Sequence, residues 1–130
     1  MTSTLSTTSH RTLSLSDLQG SWVTVAGRRD AKFLIAGHRF TFEIVDGDIY
    51  MGTIRIDSTA DPVEMDLKIE EGPARYKGLT AFCIVHWDGE HLQWCPTRPG
   101  SGVRLTGFPA VDDDRFFSLV FRPQRPRRSN

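Results

Sequence analysis

The stretch Val63-Glu64-Met65-Asp66-Leu67-Lys68-Ile69-Glu70 alternates strictly between apolar and charged residues. Successive side chains of a β-strand point to opposite faces of the sheet, so this pattern predicts a strand with one buried and one solvent-facing side. Gly72-Pro73 ends the strand, because proline cannot continue the ladder of backbone hydrogen bonds. This segment therefore predicts a sheet that covers a core on one face.

The alternation extends outward from this strand in both directions. Asp46-Gly47-Asp48 and Asp88-Gly89 are turn sequences that join neighbouring strands as hairpins. With almost no helical periodicity, seven or eight short strands predict an all-β sandwich or barrel, and barrel closure would remove exposed strand edges. The other predicted strands are Trp22–Ala26, Lys32–Ala36, Phe40–Ile44, Tyr50–Ile56, Leu79–Trp87, Leu92–Cys95, a brief pairing at Val103–Leu105, and Arg115–Arg122.

The length of 130 residues predicts one domain, and 38% hydrophobic residues predict a globular one. Residues 1–14 are polar and acid-free, which is typical of a flexible leader. Residues 15–122 form the expected barrel domain, which begins with a helical turn at Ser16–Gln19. Residues 123–130 are expected to form a basic, disordered tail.

The charge distribution argues against a nucleic-acid partner. Without Arg11, Arg125, Arg127 and Arg128, the chain holds 12 basic and 16 acidic residues, so its body is mildly acidic. The absence of a long apolar run and of a signal-like start predicts a cytoplasmic protein with no membrane partner, either monomeric or a homodimer. In that compartment Cys83 and Cys95, on neighbouring strands, are expected to be reduced thiols.

Gly20-Ser21-Trp22 stands before the first strand, and Arg122 stands at the end of the last. This arrangement resembles that of lipocalins, in which a late arginine packs over the tryptophan of a Gly-x-Trp motif. The resemblance implies that Trp22 plugs one end of the barrel and that Arg122 covers the indole through a cation–π contact.

A longer series of motifs runs along the chain: Leu18–Trp22, Gly52–Asp57, Pro62–Leu67, Gly72-Pro73, Lys77-Gly78, Asp88-Gly89-x-x-Leu92-x-x-Cys95, Arg98-Pro99 and Phe121-Arg122. In order and spacing this series resembles the small bacterial lipocalin-like domain family found in planctomycetes, which has no assigned function. The resemblance implies a single antiparallel up-and-down barrel of about eight strands and little about chemistry. The chain departs from the family at one hairpin, where Val85, His86, Trp87 and Trp94 replace the usual residues.

Thirteen aromatic residues could either fill the barrel or line a cavity within it. The leading hypothesis is that such a cavity binds a small hydrophobic molecule, with Tyr50, Trp87 and Trp94 as specific contacts. For the last strand the inward set is either Phe117, Leu119 and Phe121 or Phe116, Ser118 and Val120. The predicted ligand-binding residues are Phe40, Phe42, Tyr50, Ile54, Met65, Leu67, Cys83, Val85, Trp87, Trp94 and Phe117.

The alternative hypothesis is a cyclase or isomerase that confines a hydrophobic natural-product intermediate, with His86, Tyr50 and Asp66 as candidate catalytic residues. A third is a protein-interaction module. His86 and Asp88 flank a tight turn and could bind zinc or transfer protons, but a solvated hairpin tip is the favoured interpretation of both. No motif predicts a metal site or a cofactor.

Overall fold

The computed structural model describes residues 13–124 and confirms the predicted all-β fold. A 3₁₀ turn at Leu15–Leu18 precedes eight strands that close into one barrel. The strands are β1 Gly20–Gly27, β2 Ala31–Ala36, β3 Arg39–Ile44, β4 Ile49–Asp57, β5 Val63–Glu71, β6 Thr80–Trp87, β7 Leu92–Pro96 and β8 Leu119–Pro123.

Every strand pairs antiparallel with the next along the chain, and β8 returns to pair with β1. This is an up-and-down barrel, in which each hairpin turn connects neighbours. The alternation in β5 has the predicted result: Met65, Leu67 and Ile69 are buried inside, while the charged residues between them face outward. At Gly52, where β4 bulges against β5, an added Cβ would lie 1.8 Å from the carbonyl oxygen of Lys68, so only glycine fits.

An aromatic cluster occupies the middle of the barrel. The Phe33 ring lies 5.4 Å from Phe42 and 5.6 Å from Trp94, in edge-to-face contact with each, and it also contacts Phe40 and Phe121. These separations are the ones that aromatic pairs prefer. The ring of Phe33 therefore joins β2, β3, β7 and β8 into one core.

The last part of the chain differs from the prediction in two ways. β8 begins at Leu119 rather than Arg115, because Asp113 organises a turn in which its carboxylate accepts a hydrogen bond from the backbone N–H of Arg115. Val103–Leu105 forms no strand, and residues 97–118 are one long loop. Within β8, Leu119 and Phe121 are the buried residues, which agrees with the first of the two alternatives.

Trp22 closes one end of the barrel. Its indole N–H donates a 2.9 Å hydrogen bond to the carbonyl of Leu18, and the Trp87 ring packs against it edge-on at 5.7 Å. The prediction that Arg122 covers the Trp22 indole is wrong. Arg122 pairs with Val23 in the β1–β8 register, so it lies on the outer face, is exposed, and donates to the carbonyl of Pro123.

Leu13, which the sequence placed in the leader, is packed into the core cluster. The rest of the predicted leader, residues 1–12, and most of the predicted tail, residues 125–130, lie outside the described residues. Within residues 13–124, no helix has the length and apolar character needed to cross a membrane.

Candidate ligand-binding cavity

A cavity of about 490 Å³ opens at the end of the barrel opposite Trp22. Its walls come from the ends of β3, β5 and β7 and the starts of β4 and β6, which meet at this end because neighbouring strands run in opposite directions. This volume lies within the range of sites for small organic ligands. We call this the open end and the Trp22 end the plugged end.

Six of the eleven predicted ligand-binding residues line this cavity: Phe40, Phe42, Tyr50, Leu67, Trp94 and Phe117. They are inward-facing side chains, as the period-two pattern predicted, apart from Phe117, which reaches the cavity from the loop that precedes β8. The Phe42 ring lies 5.0 Å from Trp94 and 6.2 Å from Phe117, so aromatic faces dominate the wall.

The other five predicted residues point inward but do not line the cavity. Ile54, Met65, Cys83 and Val85 are completely buried, and Trp87 is half-buried against Trp22 at the plugged end. Their strands carry them toward that end, where Val85 and Trp87 line a second space, of about 1020 Å³, together with His86 and residues 58–63. Alternation identified their face correctly, but it carries no information on position along the barrel axis.

The loop of residues 97–118 forms one side of the cavity mouth. Thr97, Arg98 and Pro99 line the cavity from its first part, and Arg115, Phe116 and Phe117 line it from its last. Loops of this length within compact domains commonly cover a binding site.

Arg104 anchors the middle of this loop to the outside of the barrel. Its guanidinium donates hydrogen bonds to the backbone carbonyls of Met65 and Cys83 and lies 2.6 Å from the carboxylate of Asp66. It also stacks 4.6 Å from the centre of the Phe82 ring. These contacts hold the middle of the loop against β5 and β6.

The same loop covers apolar residues on the outer face of the barrel. Ile84 and Cys95 face each other across β6 and β7 and are buried, although neither belongs to the interior core cluster. Ser118 lies beside the Cys95 thiol and is itself buried. The loop is therefore packed on both faces of the sheet rather than free in solvent.

Both cysteines are free thiols in buried positions. Burial raises the pKa of the Cys83 thiol far above its usual value, although the neighbouring Trp94 indole N–H acts in the opposite direction. Burial also raises the pKa of Cys95, to about 11. Neither thiol has the low pKa that a cysteine nucleophile requires at neutral pH.

The Trp94 indole N–H is buried and has no hydrogen-bond acceptor of ordinary geometry within residues 13–124. Its polar neighbour is the Cys83 thiol, which is a weak acceptor. Since the Trp94 ring also lines the cavity, this residue connects the cavity wall to the buried core.

Two tyrosines stand at the mouth, with ring centres 6.4 Å apart. Burial, and then the nearby Asp48 carboxylate, raise the pKa of the Tyr50 phenol. The Arg75 guanidinium stacks 4.7 Å from the centre of the Tyr76 ring and acts in the opposite direction on Tyr50. Tyr50 is therefore a neutral hydrogen-bond donor across the physiological pH range.

The three candidate catalytic residues do not come together. Tyr50 lines the cavity, but Asp66 lies on the outer face in the ion pair with Arg104, and His86 is exposed at the plugged end. Within residues 13–124, no group of His, Cys, Asp and Glu side chains is arranged to hold a metal ion.

Comparisons of the chain with protein families, with curated proteins and with solved structures found no match. The function is therefore inferred from the geometry of the cavity.

Sequence reasoning missed several cavity residues. Ile44, Ile69 and Ala81 share the inward face of strands that were predicted correctly, so extending the alternation by two residues would have found them. Tyr76, Arg98, Arg115 and Phe116 come from loops, where no periodic signal indicates which side chain reaches the interior.

Proposed function

We propose that this protein binds a small hydrophobic molecule in the cavity at the open end of its barrel. The observation that carries this proposal is a 490 Å³ space at the open end whose walls are mainly aromatic and aliphatic. The apolar walls of this open space are in contact with solvent, and a hydrophobic ligand would remove that surface from water.

The lipocalin-like resemblance supports the same function. The closed eight-strand barrel is the architecture that the motif series implies, and barrels of this size have room for one small ligand. We accordingly propose membership of the small bacterial lipocalin-like domain family, a cytoplasmic location, and a barrel domain spanning residues 15–122 that acts as a monomer or homodimer.

The test is titration with phenylnaphthylamine, an uncharged dye that fluoresces in apolar surroundings. Ala81 lies in the cavity wall, so Ala81→Leu puts a bulky side chain into the space and should weaken dye binding by about tenfold or more. Ala26→Leu is the matched control, because Ala26 is exposed on β1 and the added bulk remains outside. Circular dichroism verifies that both variants are folded.

Native mass spectrometry of the freshly purified protein supplies an independent readout. A co-purifying apolar molecule that is lost from Ala81→Leu but kept by Ala26→Leu would support the proposal. Failure of the wild-type protein to bind the dye, or equal binding by Ala81→Leu, would contradict it.

One observation favours the enzymatic alternative, a cyclase or isomerase that acts by confinement. Tyr50 places a neutral phenol at the cavity, where it can donate a hydrogen bond to a bound intermediate and stabilise negative charge that develops on it. If this is correct, Tyr50→Phe should retain the co-purifying molecule but stop its conversion, which liquid chromatography with mass spectrometry would follow. Equal conversion by wild type and Tyr50→Phe would remove Tyr50 from the mechanism.

A further inference from the structure

The charged side chains that line the cavity are all positive. Arg98 and Arg115 are at its mouth, and none of the described residues that line it is an aspartate or a glutamate. An apolar pocket with cationic groups only at its entrance favours a ligand whose two ends differ in polarity. The interior suits an apolar body, and the entrance suits an anion.

The two arginines differ in how far their charge is already neutralised. Arg115 donates to both carboxylate oxygens of Asp113, at 3.0 and 2.8 Å, and this pairing lowers the pKa of Asp113 to about 2. Arg98 is exposed, and among residues 13–124 no carboxylate forms an ion pair with it. Arg98 is therefore the guanidinium that remains available to a ligand.

The position of Arg98 in the chain brings it close to the aromatic wall. It is the second residue after β7 and lies four residues after Trp94, and Thr97 before it is fixed by hydrogen bonds to the carbonyl of Phe82. An arginine side chain on this anchored backbone can reach over the cavity mouth. The Tyr50 and Tyr76 rings stand at the same mouth and bring phenol groups that can donate further hydrogen bonds to an anion.

We propose that the ligand of this cavity is an aromatic organic acid, with flat rings against Phe42 and Trp94 and an anionic oxygen group bound by Arg98. This inference rests on the proposed function and specifies its ligand class. Arginine presents a planar fork of N–H donors that matches the oxygens of a carboxylate or sulfonate. Offset and edge-to-face contacts with the wall would select a planar body over a flexible chain.

Two dyes with the same ring skeleton test this directly. Anilinonaphthalene sulfonate and phenylnaphthylamine differ by one sulfonate group, so the ratio of their dissociation constants isolates the contribution of the anion. At low ionic strength, where screening is weak, the sulfonate should bind about tenfold more tightly than the neutral dye. Arg98→Gln should remove that advantage and leave the affinity for the neutral dye unchanged.

Two further variants test whether the effect on sulfonate binding is specific to Arg98. Arg122→Gln removes an exposed arginine from the outer face of β8, away from the cavity, and should leave both dissociation constants unchanged. Asp113→Asn keeps an oxygen acceptor but removes the charge that neutralises Arg115, so the sulfonate should bind more tightly while the neutral dye does not.

The outcomes separate this inference from the proposed function. If both dyes bind equally and Arg98→Gln changes neither, the cavity binds apolar molecules but the acid-specific inference is overturned. The acid-specific inference is also overturned if Arg122→Gln weakens sulfonate binding as much as Arg98→Gln does. If neither dye binds to the wild-type protein, the proposed function fails together with its ligand class.

Discussion

The two ends of this barrel are built from the same alternating strands and yet have opposite interiors. At the plugged end, Trp22, Leu18 and Trp87 close the interior, and the residues behind them are completely buried. At the open end, the inward side chains of β3 to β7 surround a cavity of about 490 Å³. The strands alone therefore do not decide whether a barrel is solid or hollow.

The difference lies in the segments that cover each end. A single short 3₁₀ turn places Leu18 under the Trp22 indole and closes the plugged end. The open end is bordered by a loop of 22 residues, 97–118, which is held to the outside of the barrel by Arg104 rather than inserted into it. A loop anchored in this way rims the cavity and leaves its interior empty.

The largest effect that this comparison predicts is a loss of stability on substitution at the plugged end. Trp22→Ala removes a buried indole, its hydrogen bond to Leu18 and its contact with Trp87, and should lower the free energy of unfolding by about 3–5 kcal/mol. Phe117→Ala, at the rim of the open end, removes a half-buried ring and should cost only about 1 kcal/mol. Urea denaturation of both variants measures the difference, and similar losses would show that the two ends do not differ as described.

A smaller effect is expected at the loop anchor. Arg104→Gln removes the charge that binds Asp66 and Glu64 and should cost about 1–3 kcal/mol, with faster hydrogen exchange across residues 97–118. Arg39→Gln breaks a more exposed pair with Glu70 and should cost less than about 1 kcal/mol. Unchanged exchange in the loop of Arg104→Gln would mean that other contacts hold it.

The smallest expected effect is the pH dependence of the stability that the Asp113–Arg115 pair contributes at the cavity mouth. Pairing with Arg115 lowers the pKa of Asp113 to about 2, against about 3.9 in an unfolded chain. The pair therefore stabilises the folded state above about pH 4, and this contribution disappears as the pH falls toward 2. Thermal melts should show a slightly lower Tm for Asp113→Asn at pH 6 and a much smaller difference at pH 2, where about half of the Asp113 carboxyl is protonated. A difference at pH 2 as large as that at pH 6 would assign the effect to something other than charge.

The sequence was sufficient to predict the barrel and the inward face of its central strands. Met65 and Leu67 are buried, because alternation against charged neighbours leaves only one register that hides them. Arg122 shows the limit of the same reasoning: a shift of one residue moves a side chain to the opposite face, and its neighbour Phe121 is the one that is buried.

The sequence did not predict where each inward-facing residue lies along the barrel axis, and it did not predict the structure of the long loop. Ile54 and Phe42 have the same strand pattern, but one is in the buried core and the other in the cavity wall, and this depends on strand tilt and register. The loop that carries Arg98 and Arg115 is held by hydrogen bonds of Arg104 to Met65 and Cys83, which are distant from it in sequence. Such long-range contacts leave no periodic pattern.

The most direct test of the account is a nitrogen–proton NMR spectrum recorded during titration with phenylnaphthylamine. The three tryptophans give three indole N–H signals, with Trp94 in the cavity wall and Trp22 and Trp87 at the plugged end. We predict that the Trp94 signal shifts as the dye binds and that the Trp22 signal, held by its hydrogen bond to Leu18, does not. Movement of the Trp22 and Trp87 signals with a stationary Trp94 signal would place the ligand at the wrong end and contradict the account.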